Sequence, residues 1–96
     1  MASPRSSCGA AVLGGKLYAV GGHDGTQILS TVERYDPVAD AWEAVAAMAT
    51  RRSSCGAAVL GGKLFALGGL SLGGRSSTAE QYDPVADSWR PVAAML

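Results

Sequence analysis

Few side chains in this sequence could do chemistry. His23 is its one histidine, and Cys8 and Cys55 are its two cysteines. A metal centre or a general base needs its histidine among other ligands or acids at defined spacing, and no such constellation surrounds His23. Two thiols without a CxxC spacing do not make a zinc site. The cysteines could share a disulfide or a metal. They could equally be small residues buried in a strand, and free cysteine usually packs that way. The expectation is a chain without catalysis, metal or cofactor.

Arg5 and Arg52 are better suited to recognition. A guanidinium offers paired donors in a fixed plane, which fits a carboxylate. Each arginine could instead hold a structural ion pair, with Glu33 or Glu80. Tyr35, Tyr82, Trp42 and Trp89 could stack on a ligand or pack between sheets, and their strict repetition favours packing.

All these pairs are separated by the same 47 positions. Tyr35-Asp36-Pro37-Val38-Ala39-Asp40-Ala41-Trp42 returns as Tyr82-Asp83-Pro84-Val85-Ala86-Asp87-Ser88-Trp89, and Gly21-Gly22 returns as Gly68-Gly69. Residues 1–49 set against 48–96 match at 32 of 49 positions without a gap. One unit is written twice, over 1–47 and 48–96, and periods of this length mean propellers, solenoids or arrays. Two copies fall short of the roughly three that an array normally needs.

Composition narrows the function classes. The chain is 48% hydrophobic and 17% charged, which argues against disorder. Formal net charge is zero and no like charges cluster, so nothing recruits nucleic acid or an anionic membrane. No apolar run approaches the roughly 20 residues of a membrane span. Met1-Ala2-Ser3-Pro4-Arg5 lacks the basic-then-apolar order of a signal peptide. With two cysteines read as unpaired, the expected location is the cytoplasm.

Each unit reads as four short strands. Ser6–Leu13 is a strand of small side chains, suited to a place where several sheets converge. Gly14-Gly15 makes a tight hairpin to a second strand, Lys16–Val20, which is apolar almost throughout. Gly21-Gly22 ends it. Residues 23–29 form a polar loop, Thr31–Tyr35 alternates as a third strand, and Asp36-Pro37 opens a turn. Trp42–Ala46 is ambiguous: Asp40 and Glu43 resemble a helix cap, and alanines follow. The second copy decides for a strand. Its Pro91 would remove a helical hydrogen bond at a cost of about 3 kcal/mol. An outer edge strand tolerates that proline.

Radially repeated four-stranded sheets are propeller blades. The double glycine, the Tyr-Asp-Pro turn, a Trp seven residues after the Tyr and a Met before the next unit (Met48, Met95) resemble the kelch family. Arg-Ser-Ser before the first strand and Val-Glu-Arg-Tyr-Asp-Pro in the third are most similar to the kelch domains of BTB-kelch adaptors. The resemblance implies an all-β fold of two four-stranded antiparallel blades, in a family that usually closes six in one chain. It also implies a peptide-binding rim at the channel mouth, open to acidic segments. By position that rim would hold Arg5, His23, Ser30, Arg52, Leu70 and Ser77. Some kelch-like propellers are copper oxidases, but one histidine cannot supply the ligands such a site needs.

The two copies differ most at residues 23–29 against 70–76, where seven positions in succession mismatch. That is how a binding loop on a rigid scaffold varies, and also how an unconstrained loop drifts. Two readings follow. One is a non-enzymatic propeller that assembles with itself, as a three-chain ring of six blades, and displays loops for protein or peptide binding. The other is a purely structural self-assembling fragment, excised or designed, with no ligand, since the chain starts at a first strand and ends just past a fourth. An enzyme or metal-binding propeller is the remote third.

Overall fold

The repeated Tyr-Asp-Pro-Val-Ala-Asp segment builds the same turn twice. The Asp36 carboxylate accepts the Val38 N–H at 2.9 Å, and Asp83 accepts that of Val85 at 2.9 Å. Asp40 and Asp87 close the turns in the left-handed region, at φ 52° and 51°. Each accepts the hydroxyl of the tyrosine five residues back. Aspartate tolerates this conformation better than most residues, so the motif is the turn's own specification.

These turns sit in a computed structural model that describes residues 4–95. Its strands are β1 (Gly9–Leu13), β2 (Lys16–Val20), β3 (Val32–Asp36), β4 (Ala41–Val45), β5 (Gly56–Leu60), β6 (Lys63–Leu67), β7 (Leu70–Ser71), β8 (Gly74–Arg75), β9 (Ala79–Asp83) and β10 (Ser88–Val92). They form two four-stranded antiparallel sheets, β1-β2-β3-β4 and β5-β6-β9-β10, and a two-stranded hairpin, β7-β8. No helix occurs among the described residues. The all-β expectation holds. Pro91 lies exposed in the outer strand β10, opposite Glu80, where its missing N–H costs no ladder bond.

Strand limits differ from the sequence reading at three places. The first strand starts at Gly9, and Ser6 joins only an isolated bridge to His23. The third and fourth strands shift by one residue, to end at Asp36 and begin at Ala41. The loop expected at 70–76 contains the β7-β8 hairpin. The Gly14-Gly15 hairpin is as expected: both residues have positive φ, 59° and 75°, which a type I′ turn requires.

The inner strands β1 and β5 lie side by side. A Cβ on Gly9 would come within 3.0 Å of the Ala57 Cβ and 3.3 Å of the Cys55 sulfur, so the sheets meet closely enough to demand small residues. The core fills the space between the blades. It contains Leu13, Tyr18, Val20, Val32 and Met48 from the first repeat, and Cys55, Leu64, Ala66 and Tyr82 from the second. Tyr18 and Tyr82 meet across it with ring centroids 5.7 Å apart. Main-chain and side-chain bonds pin the same junction. Gly22 N–H donates to Arg52 O at 2.7 Å, Arg52 N–H to Leu29 O at 2.9 Å, and Ser54 N–H to Ser7 O at 2.6 Å. The Trp89 indole N–H donates to Ala46 O at 2.8 Å, and Ala46 N–H to the Asp87 carboxylate at 3.0 Å. At Gly21 a Cβ would sit 2.2 Å from Arg52 O, so only glycine lets the blades close there.

Candidate interaction surfaces

Arg5 and Arg52 are not open to a ligand. Both side chains are fully enclosed. Arg5 donates to Gly21 O (2.8 Å), Thr31 O (2.9 Å), the Thr31 hydroxyl (3.1 Å) and Glu33 (2.9 Å). Arg52 makes the corresponding bonds to Gly68 O, Thr78 O and the Thr78 hydroxyl, each at 3.0 Å, and pairs with Glu80 at 3.0 Å. Thr31 and Glu33 stand two apart, so both face the same side of the strand and reach one guanidinium. Glu80 also accepts the Ala49 N–H at 2.8 Å. The arginines therefore tie the entry of each repeat to its own second and third strands. The expectation of a carboxylate-binding pair gives way to its structural alternative.

Of the other positions assigned to the rim, His23 and Ser30 lie in the β2–β3 connection, and Leu70 and Ser77 in its β6–β9 counterpart. His23 is half-buried, exchanges backbone bonds with Ser6 at 2.9 Å, and accepts the Gly25 N–H at Nδ1 at 2.9 Å. Leu70 occupies the equivalent place, exposed and bonded to Ser53. Ser30 and Ser77 accept the N–H groups of Met48 and Met95 through their carbonyls, at 2.9 and 2.8 Å. Asp24 caps its loop by accepting the Thr26 and Gln27 N–H groups at 2.8 Å, and those bonds hold its carboxyl below the usual carboxylate range.

Two further arginines, outside the positions that the resemblance assigns to the rim, lie beside these connections. Arg51 is exposed and bonds across the junction to Gln27 (3.2 Å) and Ile28 O (3.3 Å). Arg75 is exposed on β8, with no ion pair among the described residues. Neither arginine repeats, as Pro4 and Ile28 hold the matching positions. With Arg5–Glu33 and Arg52–Glu80 neutralised inside, the rim carries Arg51 and Arg75 against Asp24. Elsewhere Lys16 pairs with Asp36 and Glu43, and Arg34 with Glu43.

The flat outer faces are the other surface. Leu13 is 9% exposed in the junction and its counterpart Leu60 is 73% exposed; Met48 is 4% and Met95 44%; Leu64 is 0% and Leu17 39%. Val12, Leu17, Tyr35 and Trp42 mark the outer face of the first blade, and Leu60, Phe65, Leu67 and Met95 that of the second. Trp89 packs against the core between the blades. Trp42 stacks on Tyr35 with centroids 5.4 Å apart, half-buried on the outer face. Cys55 is buried, and burial pushes its thiol pKa up, while Cys8 is half-exposed; both are free thiols. Among the described residues no group of three or more His, Cys, Asp or Glu could hold a metal ion. No helix among them is long and apolar enough to cross a membrane.

Comparison with known proteins places this geometry. The Kelch motif model matches residues 4–49 and 51–96. Kelch-like protein 25 of Rattus norvegicus is 44% identical over 48 residues, half of this chain and 8% of that protein. Kelch-like protein 35 of Homo sapiens is 53% identical over 38 residues, 40% of this chain and 6% of that protein. The chain thus spans less than a tenth of the length of these relatives. The solved structure of YjhT superposes with a TM-score of 0.85 at 17% identity, over 95% of this chain and 38% of that one, and shares its fold. Kelch repeats are typically protein-interaction modules of propellers.

Proposed function

This chain belongs to the kelch-repeat family, and on that premise we propose that it is a non-enzymatic propeller module that joins copies of itself into a closed ring and presents one rim to acidic protein or peptide segments. The observation that carries the reading is the unequal burial of equivalent residues: the same apolar positions are covered between the blades and bare on the outer faces. Each unit of 47 residues acts as one blade. The two outer faces differ, so contact between chains is head-to-tail, and such contacts make a ring when the rotation closes. Two blades fill 38% of the YjhT chain, which leaves length there for about three more, within the usual propeller range. Six blades from three chains is the even number that fits best.

The rim supplies the recognition. Arg51 and Arg75 repeat around such a ring on one side, and a guanidinium suits carboxylates. Thermal unfolding tests assembly: the midpoint should climb with protein concentration. A midpoint independent of concentration over the micromolar range contradicts the ring. Fluorescence anisotropy with a Glu/Asp-rich peptide tests recognition. Alanine at both Arg51 and Arg75 should weaken binding and flatten its salt dependence. If the ring forms but the unaltered protein binds no such peptide at low salt, the structural reading without a ligand replaces this half.

A further inference from the structure

The cavity of about 370 Å³ lined by Ser54, Gly69, Leu70, Arg75 and Ser76 has the form of a ligand cleft. Repeat equivalence gives it another identity. Its lining residues match Ser7, Gly22, His23, Ile28 and Leu29, one unit earlier. In the junction Gly22, Leu29 and Ser7 bond the segment that opens the second repeat, and Ile28 accepts from Arg51. We propose that this cavity is the seat for residues 4–7 of a second copy of the chain, and that it sets the register of the ring. The inference rests on the self-assembly proposed above and adds which atoms meet.

Unmatched donors support it independently. Gly22 N–H, Arg52 N–H, Ser54 N–H, Ala46 N–H and the Trp89 indole N–H all have acceptors across the junction. Their counterparts are Gly69, Arg5, Ser7 and Ala93 N–H and the Trp42 indole. None of these five has an acceptor among the described residues. Docking by the junction's own geometry pairs all five. Gly69 donates to Arg5 O of the next copy, whose Arg5 and Ser7 N–H groups donate to Ser76 O and Ser54 O. The next copy's Trp42 indole donates to Ala93 O, and Ala93 N–H donates to its Asp40. Polar groups that gain partners as apolar ones are covered avoid the desolvation cost that would oppose assembly.

Gly68 adds a steric argument. Its counterpart Gly21 has a carbonyl of the next blade 2.2 Å from where a Cβ would stand. A Cβ on Gly68 meets only the flexible end of Met95 at 2.9 Å and Ser76 O at 3.2 Å within the chain. The missing close neighbour is Arg5 O of the next copy.

Three measurements test the register. By repeat, Gly56 should face Ala10 of the next copy as Gly9 faces Ala57. Ala10→Cys with Gly56→Cys, in a Cys8→Ser, Cys55→Ser background, should give oxidised products that stop at three chains. Gly68→Ala should keep the β-sheet spectrum and lose assembly. In the unaltered protein, amide exchange at Gly69, Arg5 and Ser7 should slow at least tenfold on assembly. Assembly with unprotected Gly69, Arg5 and Ser7 amides, or without cross-linking by the folded double variant, overturns the register and leaves the ring standing. An unaltered chain that never assembles overturns the ring itself.

Discussion

The junction between the blades and the two outer faces are built from nearly the same residues, yet only the junction is a core. Trp89 stacks on Tyr82 with centroids 5.1 Å apart and bonds across to Ala46. Trp42 stacks on Tyr35 at nearly the same spacing, with no acceptor for its indole among the described residues. Tyr82 is fully buried, and burial together with its bond to Asp87 raises its hydroxyl pKa well above the usual value. Tyr35 is only half-buried. Residue type decides what a face can do, and the neighbour decides whether it does it. This chain holds one covered junction and two bare outer faces.

Mutation of the two tryptophans should break that comparison most visibly. Trp89→Ala removes a packed aromatic and its bond and should cost about 3–5 kcal/mol in urea unfolding. Trp42→Ala, measured on single chains at high dilution, should cost clearly less, yet it should abolish assembly at higher concentration. Equal losses in dilute single chains would mean that the outer face already behaves as core.

Thiol reactivity sharpens the contrast without changing the fold. Cys55 is buried, with its sulfur 3.7 Å from Val20 O, while Cys8 is half-exposed. In single chains Cys8 should react with a thiol reagent at least tenfold faster than Cys55. On assembly Cys8 should become as slow as Cys55, because the next copy covers it. A Cys8 rate that ignores concentration would contradict this.

The smallest effect is acid weakening of the junction. The Asp87 carboxyl is held below its ordinary value of 3.8, first by the Ala46 N–H and then by the Tyr82 hydroxyl. A carboxylate with a lowered folded pKa stabilises the fold above its unfolded pKa, and that stability is lost as pH falls through the folded one. Stability should therefore be flat in this respect from neutral pH down to about 4.5 and decline below about 4. Asp87→Asn should remove part of that acid dependence in pH-dependent urea titrations. An unchanged profile would take Asp87 out of the junction's energetics.

Much of this was legible in the residues. The period of 47 gave the blades, and Pro91 separated strand from helix where Asp40 and Glu43 suggested a cap. Small residues at Gly9 and Ala57 announced the close approach of the inner strands. The role of Arg5 and Arg52 was not legible, because a guanidinium serves a ligand and an internal carboxylate equally well. Only the enclosure by Thr31 and Glu33, and by Thr78 and Glu80, decides it. The β7-β8 hairpin was hidden because two-residue strands carry no periodicity. Arg51 and Arg75 lie outside the rim positions that the resemblance implies, because neither occupies a repeated motif position; only their exposure in the fold marks them.

The most direct test of the central claim, that the outer faces are halves of the junction, is the mass of the particle in solution. Sedimentation equilibrium over a wide range of concentrations should resolve the 9.7 kDa chain when dilute and a particle of three times that mass at higher concentration, with nothing larger. A limit of four chains would keep the claim and change the ring to eight blades. A well-folded single chain at every concentration would contradict it.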